Sequence, residues 1–94
     1  MDILKVYKYD YEGDYQESFS IEGSVENLAS FIAGADLDSK YTITDIADQT
    51  VVTTIGSYLD YCPDTELLVE LQPLLIRKQM SSESEFDVGY VDRV

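Results

Sequence analysis

A chain of 94 residues, 45% of them hydrophobic, suffices for one modest core; it excludes a wholly disordered chain and leaves little room for a deep cleft or a second domain. Nineteen acidic residues against six basic ones give a formal net charge of −13, which disfavours direct contact with nucleic acid or with an anionic membrane surface. There is no His and a single Cys, so the commonest acid–base group, the usual activator of a nucleophile and the ligands of a zinc site are missing, and no cofactor or metal is expected.

Residues Ile3 to Tyr11 mix β-branched, aromatic and polar side chains and predict a strand. Glu12-Gly13-Asp14 is a turn signal. From Tyr15 to Glu22 the pattern alternates, with Tyr15, Glu17, Phe19 and Ile21 assigned to one face, so the first 22 residues predict a β-hairpin. Ser24 is a candidate N-cap, and Val25, Leu28, Ala29, Ile32 and Ala35 form a stripe at helical spacing; the helix is expected from Ser24 to about Ala33, ending near Gly34. Tyr41 to Ala47 and Thr50 to Ile55 predict a second hairpin turning at Asp48-Gln49, with Gly56 as a bulge or an end and a resumed strand over Tyr58 to Tyr61.

The stretch from Asp64 to Met80 admits two readings. Asp64 or Thr65 caps a helix carrying Leu67, Leu68 and Leu71, which stops near Leu71 or restarts at Pro73; alternatively, Glu66 to Leu71 and Leu74 to Gln79 are two strands. The Leu-rich composition favours the helix in the first half. Ser81 to Glu85 is a polar linker, and the alternating Phe86, Val88 and Tyr90 predict an edge strand or a mobile tail. The expected architecture is α+β, with a small antiparallel sheet in the order β-β-α-β-β, then a second helix and a C-terminal extension, the helices on one face. Residues 1–80 form the domain and 81–94 the linker and tail.

No apolar run approaches the ~18 residues of a membrane helix, the N-terminus lacks the pattern of a signal peptide, and Cys62 cannot form an internal disulfide, so a cytoplasmic location is expected. Asp60 and Asp64 flank Cys62 and oppose a reactive thiolate. Asp10 to Asp14 fails as a calcium loop, because Tyr15 stands where Gly is needed and Ile21 where Glu is needed. The same segment suits a binding role. Asp10, Glu12 and Asp14 alternate at roughly 6–7 Å, comparable with phosphate spacing along a nucleic-acid strand, and Glu17 extends the charge. Tyr7, Tyr9, Tyr11 and Tyr15 crowd the same hairpin, where they serve as core or as interface anchors. These eight residues are the candidate partner-binding site.

In size, acidity and lack of catalytic residues the whole chain resembles the small acidic inhibitors that phages and mobile elements direct against host defence, including anti-CRISPR proteins and DNA mimics. The resemblance implies a non-catalytic protein that occupies the basic, nucleic-acid-binding surface of a protein partner. Two other classes stand beside it: an accessory or structural domain whose acidity serves solubility, and a carboxylate-dependent metalloenzyme.

Overall fold

The alternating segments pair as expected. Strand β1 (Ile3–Asp10) and strand β2 (Tyr15–Glu22) form the first hairpin, and helix α1 (Val25–Ala33) follows. Strands β3 (Ser39–Thr44), β4 (Thr50–Ile55) and β5 (Tyr58–Tyr61) complete the sheet before helix α2 (Thr65–Val91). This computed structural model describes the backbone of residues 2–91 and the side chains as far as Lys78. The fold is α+β, with a five-stranded, wholly antiparallel sheet in the order β2-β1-β3-β4-β5. The chain crosses from the outer strand β2 back to β3, beside β1, through α1.

Strand alternation divides the sheet into two faces. Leu4 and Val6 of β1, Tyr41 and Ile43 of β3 and Val52 of β4 form the core with Leu28, Ala29 and Ile32 of α1 and Leu67, Leu71 and Leu75 of α2. The spacing of Leu67, Leu71 and Leu75 places one Leu per turn on the face of α2 that meets the sheet and α1. At the edge of this layer Phe31 stacks edge-on against Phe19, at 5.7 Å between ring centroids, and against Tyr41, at 5.1 Å. The Tyr41 hydroxyl accepts the Asp36 amide at 3.2 Å, so the buried ring keeps a polar partner. Ser24 caps α1 by accepting the Asn27 amide at 3.0 Å, and Gly34 ends the helix. Asp64 caps α2, its Oδ1 accepting from Glu66 and Leu67.

Three expectations are corrected. Strand β3 stops at Thr44 instead of running to Ala47, because the Asp45 carboxylate accepts the amides of Ala47 and Gln49 and folds residues 45–49 into the turn, with Asp48 at a φ of 66°. Helix α2 neither stops near Leu71 nor breaks into two strands; it passes through Pro73. The carbonyl that Pro73 cannot bond, that of Val69, belongs to a residue on the exposed side of the helix, so it is not stranded in the core. The backbone is helical through Val91, in place of a linker over Ser81 to Glu85 and an edge strand or tail over Phe86, Val88 and Tyr90. Phe86 and Tyr90 are also four apart, a spacing that helix and strand alternation share. Their side chains, and residues 92–94, lie outside the described residues.

Candidate functional site

The first hairpin brings the eight candidate residues together but sorts them onto different surfaces. Tyr7 and Tyr9 lie on the open face of the sheet, opposite the helices, since their neighbours Leu4 and Val6 are in the core. Asp10 falls on the helix side by the same alternation. One residue more than alternation allows then enters β2: Lys8 pairs with Glu17 but Tyr9 pairs with Tyr15. The bulge at Gln16 turns Tyr15 away from Glu17, Phe19 and Ile21 and onto the open face, correcting the single-face assignment. There its ring packs edge-on to Tyr9, at 6.1 Å between centroids, and its hydroxyl meets Ser18 at 3.1 Å. Tyr11 is in the turn, exposed, with the Lys40 ammonium 5.9 Å from its ring centroid.

The row of alternating carboxylates does not form. Asp10 Oδ1 accepts the backbone amides of Glu12, at 2.9 Å, and Asp14, at 2.8 Å, and Oδ2 accepts from the Gln16 amide group at 3.3 Å. Its charge is spent on closing the turn, with Gly13 at a φ of 96°. Glu12 and Asp14 remain exposed at the tip, and Glu17 is exposed on the helix side, opposite Lys8.

The open face holds more tyrosines than the hairpin supplies. In β5, Tyr58 pairs with Ile55 and Tyr61 with Thr53, while Leu59 pairs with the intervening Thr54, so Asp60 is a second extra residue. That bulge brings Tyr58 and Tyr61, three apart in sequence, onto the same side. The resulting surface carries Tyr9 and Tyr15 at one end, Tyr58 and Tyr61 across the sheet and the row of Tyr7, Thr42 and Thr53 in its centre. The Lys5 ammonium lies 5.4 Å from the Tyr7 ring centroid.

A second concavity, a groove of about 490 Å³, lies where the start of β1 meets the start of α2. Asp2, Asp45, Asp64, Glu66 and Glu70 line it over a floor that includes Leu4 and Leu67. Asp45 and Asp64 are already engaged as turn and helix caps. Among the described residues no three of Cys, Asp and Glu are grouped so as to hold a metal ion. Cys62 is half-buried; burial pushes its thiol above the usual range, and the thiol sits 3.6 Å from the Asp64 carbonyl. No described helix is long and apolar enough to cross a membrane. No family model, curated protein or solved structure matches the chain.

Proposed function

We propose that this chain is a non-catalytic acidic binding protein that occupies the basic, nucleic-acid-binding surface of a protein partner, in the manner of the small inhibitors it resembles. The supporting observation is how little of its charge is neutralised. Only two ion pairs form among the described residues, Lys8–Asp36 at 2.7 Å and Lys78–Glu26 at 3.4 Å, in a chain of net charge −13. The remaining carboxylates raise the encounter rate with a positive surface and impose salt dependence. Asp10 fixes the turn, and the turn holds Glu12 and Asp14 outward, where they pair with Arg and Lys side chains that otherwise hold phosphates. Glu17 extends the contact along the helix side of the hairpin.

The test starts from proteins of the native host retained on the immobilised chain and eluted by salt. Their binding to labelled nucleic acid is then measured by fluorescence anisotropy, with and without the free chain. The chain is expected to displace the nucleic acid. A variant carrying Glu12→Lys, Asp14→Lys and Glu17→Lys is expected to associate about tenfold more slowly at low salt. A charge-matched control carrying Asp2→Lys, Asp38→Lys and Glu70→Lys, all exposed and away from the tip, is expected to do less. Nucleic-acid binding untouched by excess chain sinks the reading; equal effects of the two variants leave only a diffuse field and remove the hairpin as the contact.

A further inference from the structure

The sheet is open, so two strands keep an unpaired side, and the two edges differ. Edge strand β5 is four residues long, is bulged at Asp60 and is followed by Pro63, features that keep a further strand away. Edge strand β2 is eight residues long, holds no Pro, Lys or Arg, and is regular from Glu17 to Glu22 beyond its bulge at Gln16. One bond sets the direction of its backbone. The Asp10 amide donates to the Asp14 carbonyl at 2.8 Å, which makes Tyr9 and Tyr15 a non-hydrogen-bonded pair. Alternation from there, through the bulge, turns the backbone groups of Glu17, Phe19 and Ile21 towards β1 and those of Ser18, Ser20 and Glu22 outward. The Glu22 carbonyl accepts the Ser24 amide at 3.1 Å; among the described residues no strand pairs with the other outward groups. Beside this row Phe19 and Ile21 are only half-buried on the helix side, and Glu17 and Glu22 stand at its two ends.

We propose that β2 is a strand-addition site for an extended segment of the partner protein, one with a basic residue at each end and apolar and small polar residues alternating between them. This rests on the reading of the chain as a binder of a basic protein surface, and it names how part of that surface is held. Unpaired N–H and C=O groups specify another strand, where an apolar patch leaves its cover open. The added strand runs antiparallel to β2, as every other pair in the sheet does, and exchanges backbone hydrogen bonds with Ser18 and Ser20. Its apolar side chains cover Phe19 and Ile21, and its basic ends face Glu17 and Glu22. Charge opposes self-pairing, because a second β2 brings two more carboxylates and a net charge of −13 to the same edge. Past Glu17 the hairpin leads to Glu12 and Asp14, so one basic segment reaches both the edge and the tip.

The probe is the blocked peptide acetyl-Lys-Val-Thr-Val-Thr-Lys-amide. Its Val residues fall opposite Ile21 and Phe19, its Thr residues opposite Ser20 and Ser18, and its Lys residues opposite Glu22 and Glu17. Titrated into the full chain at about 150 mM salt and followed by amide NMR, it is expected to half-saturate below about 1 mM. Hydrogen exchange at the amides of Ser18, Ser20 and Glu22 is expected to slow severalfold in its presence. Methylating the Thr amides, which face β2, is expected to weaken binding at least about tenfold; methylating the Val amides, which face away, is expected to change it less than about twofold. Ser20→Pro removes an outward amide and spares the β1 ladder, and is expected to weaken binding as the first methylation does. A circular dichroism melt checks its fold, and if it fails to fold the two methylated peptides decide alone. Absence of binding at about 5 mM peptide overturns the proposal, and so does equal binding by both methylated forms, which shows charge attraction only. A chain that displaces nucleic acid from its partner yet fails these tests keeps the basic-surface reading and loses the strand-addition site.

Discussion

The two faces of this sheet are made from the same strands, one residue out of step. On β1, Leu4 and Val6 are almost wholly buried, while Lys5 is exposed and Tyr7 half-buried; on β3, Ile43 is buried and Thr42 half-buried. The helix side collects apolar side chains that both helices can cover, and this burial drives folding. The open side collects Tyr and Thr, which favour strand conformation yet tolerate water at their polar ends. Alternation thus assigns stability to one face and leaves the other uncovered by the helices. The acidic tip belongs to neither, because Asp10 spends its carboxylate on the turn.

The sharpest test of this division compares a large side chain from each side. Leu71→Ala, at a fully buried position, is expected to cost about 2–5 kcal/mol, since it removes the transfer energy of the lost carbons and leaves a cavity. Tyr7→Ser on the open face is expected to cost under about 1 kcal/mol. Urea unfolding with unchanged slope reads both differences. Comparable losses would mean that the open face contributes to the core and that its tyrosines are structural.

A smaller effect separates two neighbouring carboxylates. Asp10→Ala removes the acceptor of two backbone amides and is expected to cost about 1–2 kcal/mol, within the range for charged hydrogen bonds. Glu12→Ala, at the exposed tip, is expected to stay within about 0.5 kcal/mol. If instead the two are equal, the tip is not organised by Asp10, and the rigid presentation of Glu12 and Asp14 loses its basis.

Local signals in the sequence carry the elements whose cause is local. Ser24, the stripe from Val25 to Ala35 and Gly34 specify α1 almost to the residue. The alternation of the first 22 residues and the β-branched run from Thr50 specify the hairpins. Two kinds of information are not local. The bulges at Gln16 and Asp60 re-aim Tyr15 and Tyr61 relative to simple alternation, and a bulge is fixed by how the partner strand aligns. The crossing that sets β3 beside β1 brings Lys40 next to Tyr9, thirty-one positions apart in sequence, and no pattern within either strand announces it. The same limit hid the role of Asp10: its spacing from Glu12 and Asp14 fits a row of charges as well as a carboxylate closing its own turn. Pro73 misled for a different reason, since its cost depends on whether the carbonyl it strands meets water or core.

The smallest expected effect lies on the helix side of β1. Lys8 donates to Asp36 Oδ2 at 2.7 Å, which ties the first strand to the segment after α1. This hydrogen bond, foremost, with the nearby Tyr41, Asp36 and Glu17, lifts the Lys8 ammonium above its ordinary range, against an opposing desolvation. A raised value in the folded state means that the folded chain holds this proton more tightly than the unfolded one. The stabilisation is therefore complete at neutral pH, begins to fall as the pH passes the unfolded lysine value near about 10.4, and is gone above the folded one. Lys8→Met is expected to lower the urea midpoint slightly and by a constant amount from about pH 6 to about pH 9, with the gap to wild type closing only at strongly alkaline pH. Salt should also shrink the gap, because the pair is partly exposed and screened. A gap that widens with rising pH would reverse the sign and show that the Lys8 ammonium is held less tightly in the fold than outside it, which its bond to Asp36 forbids.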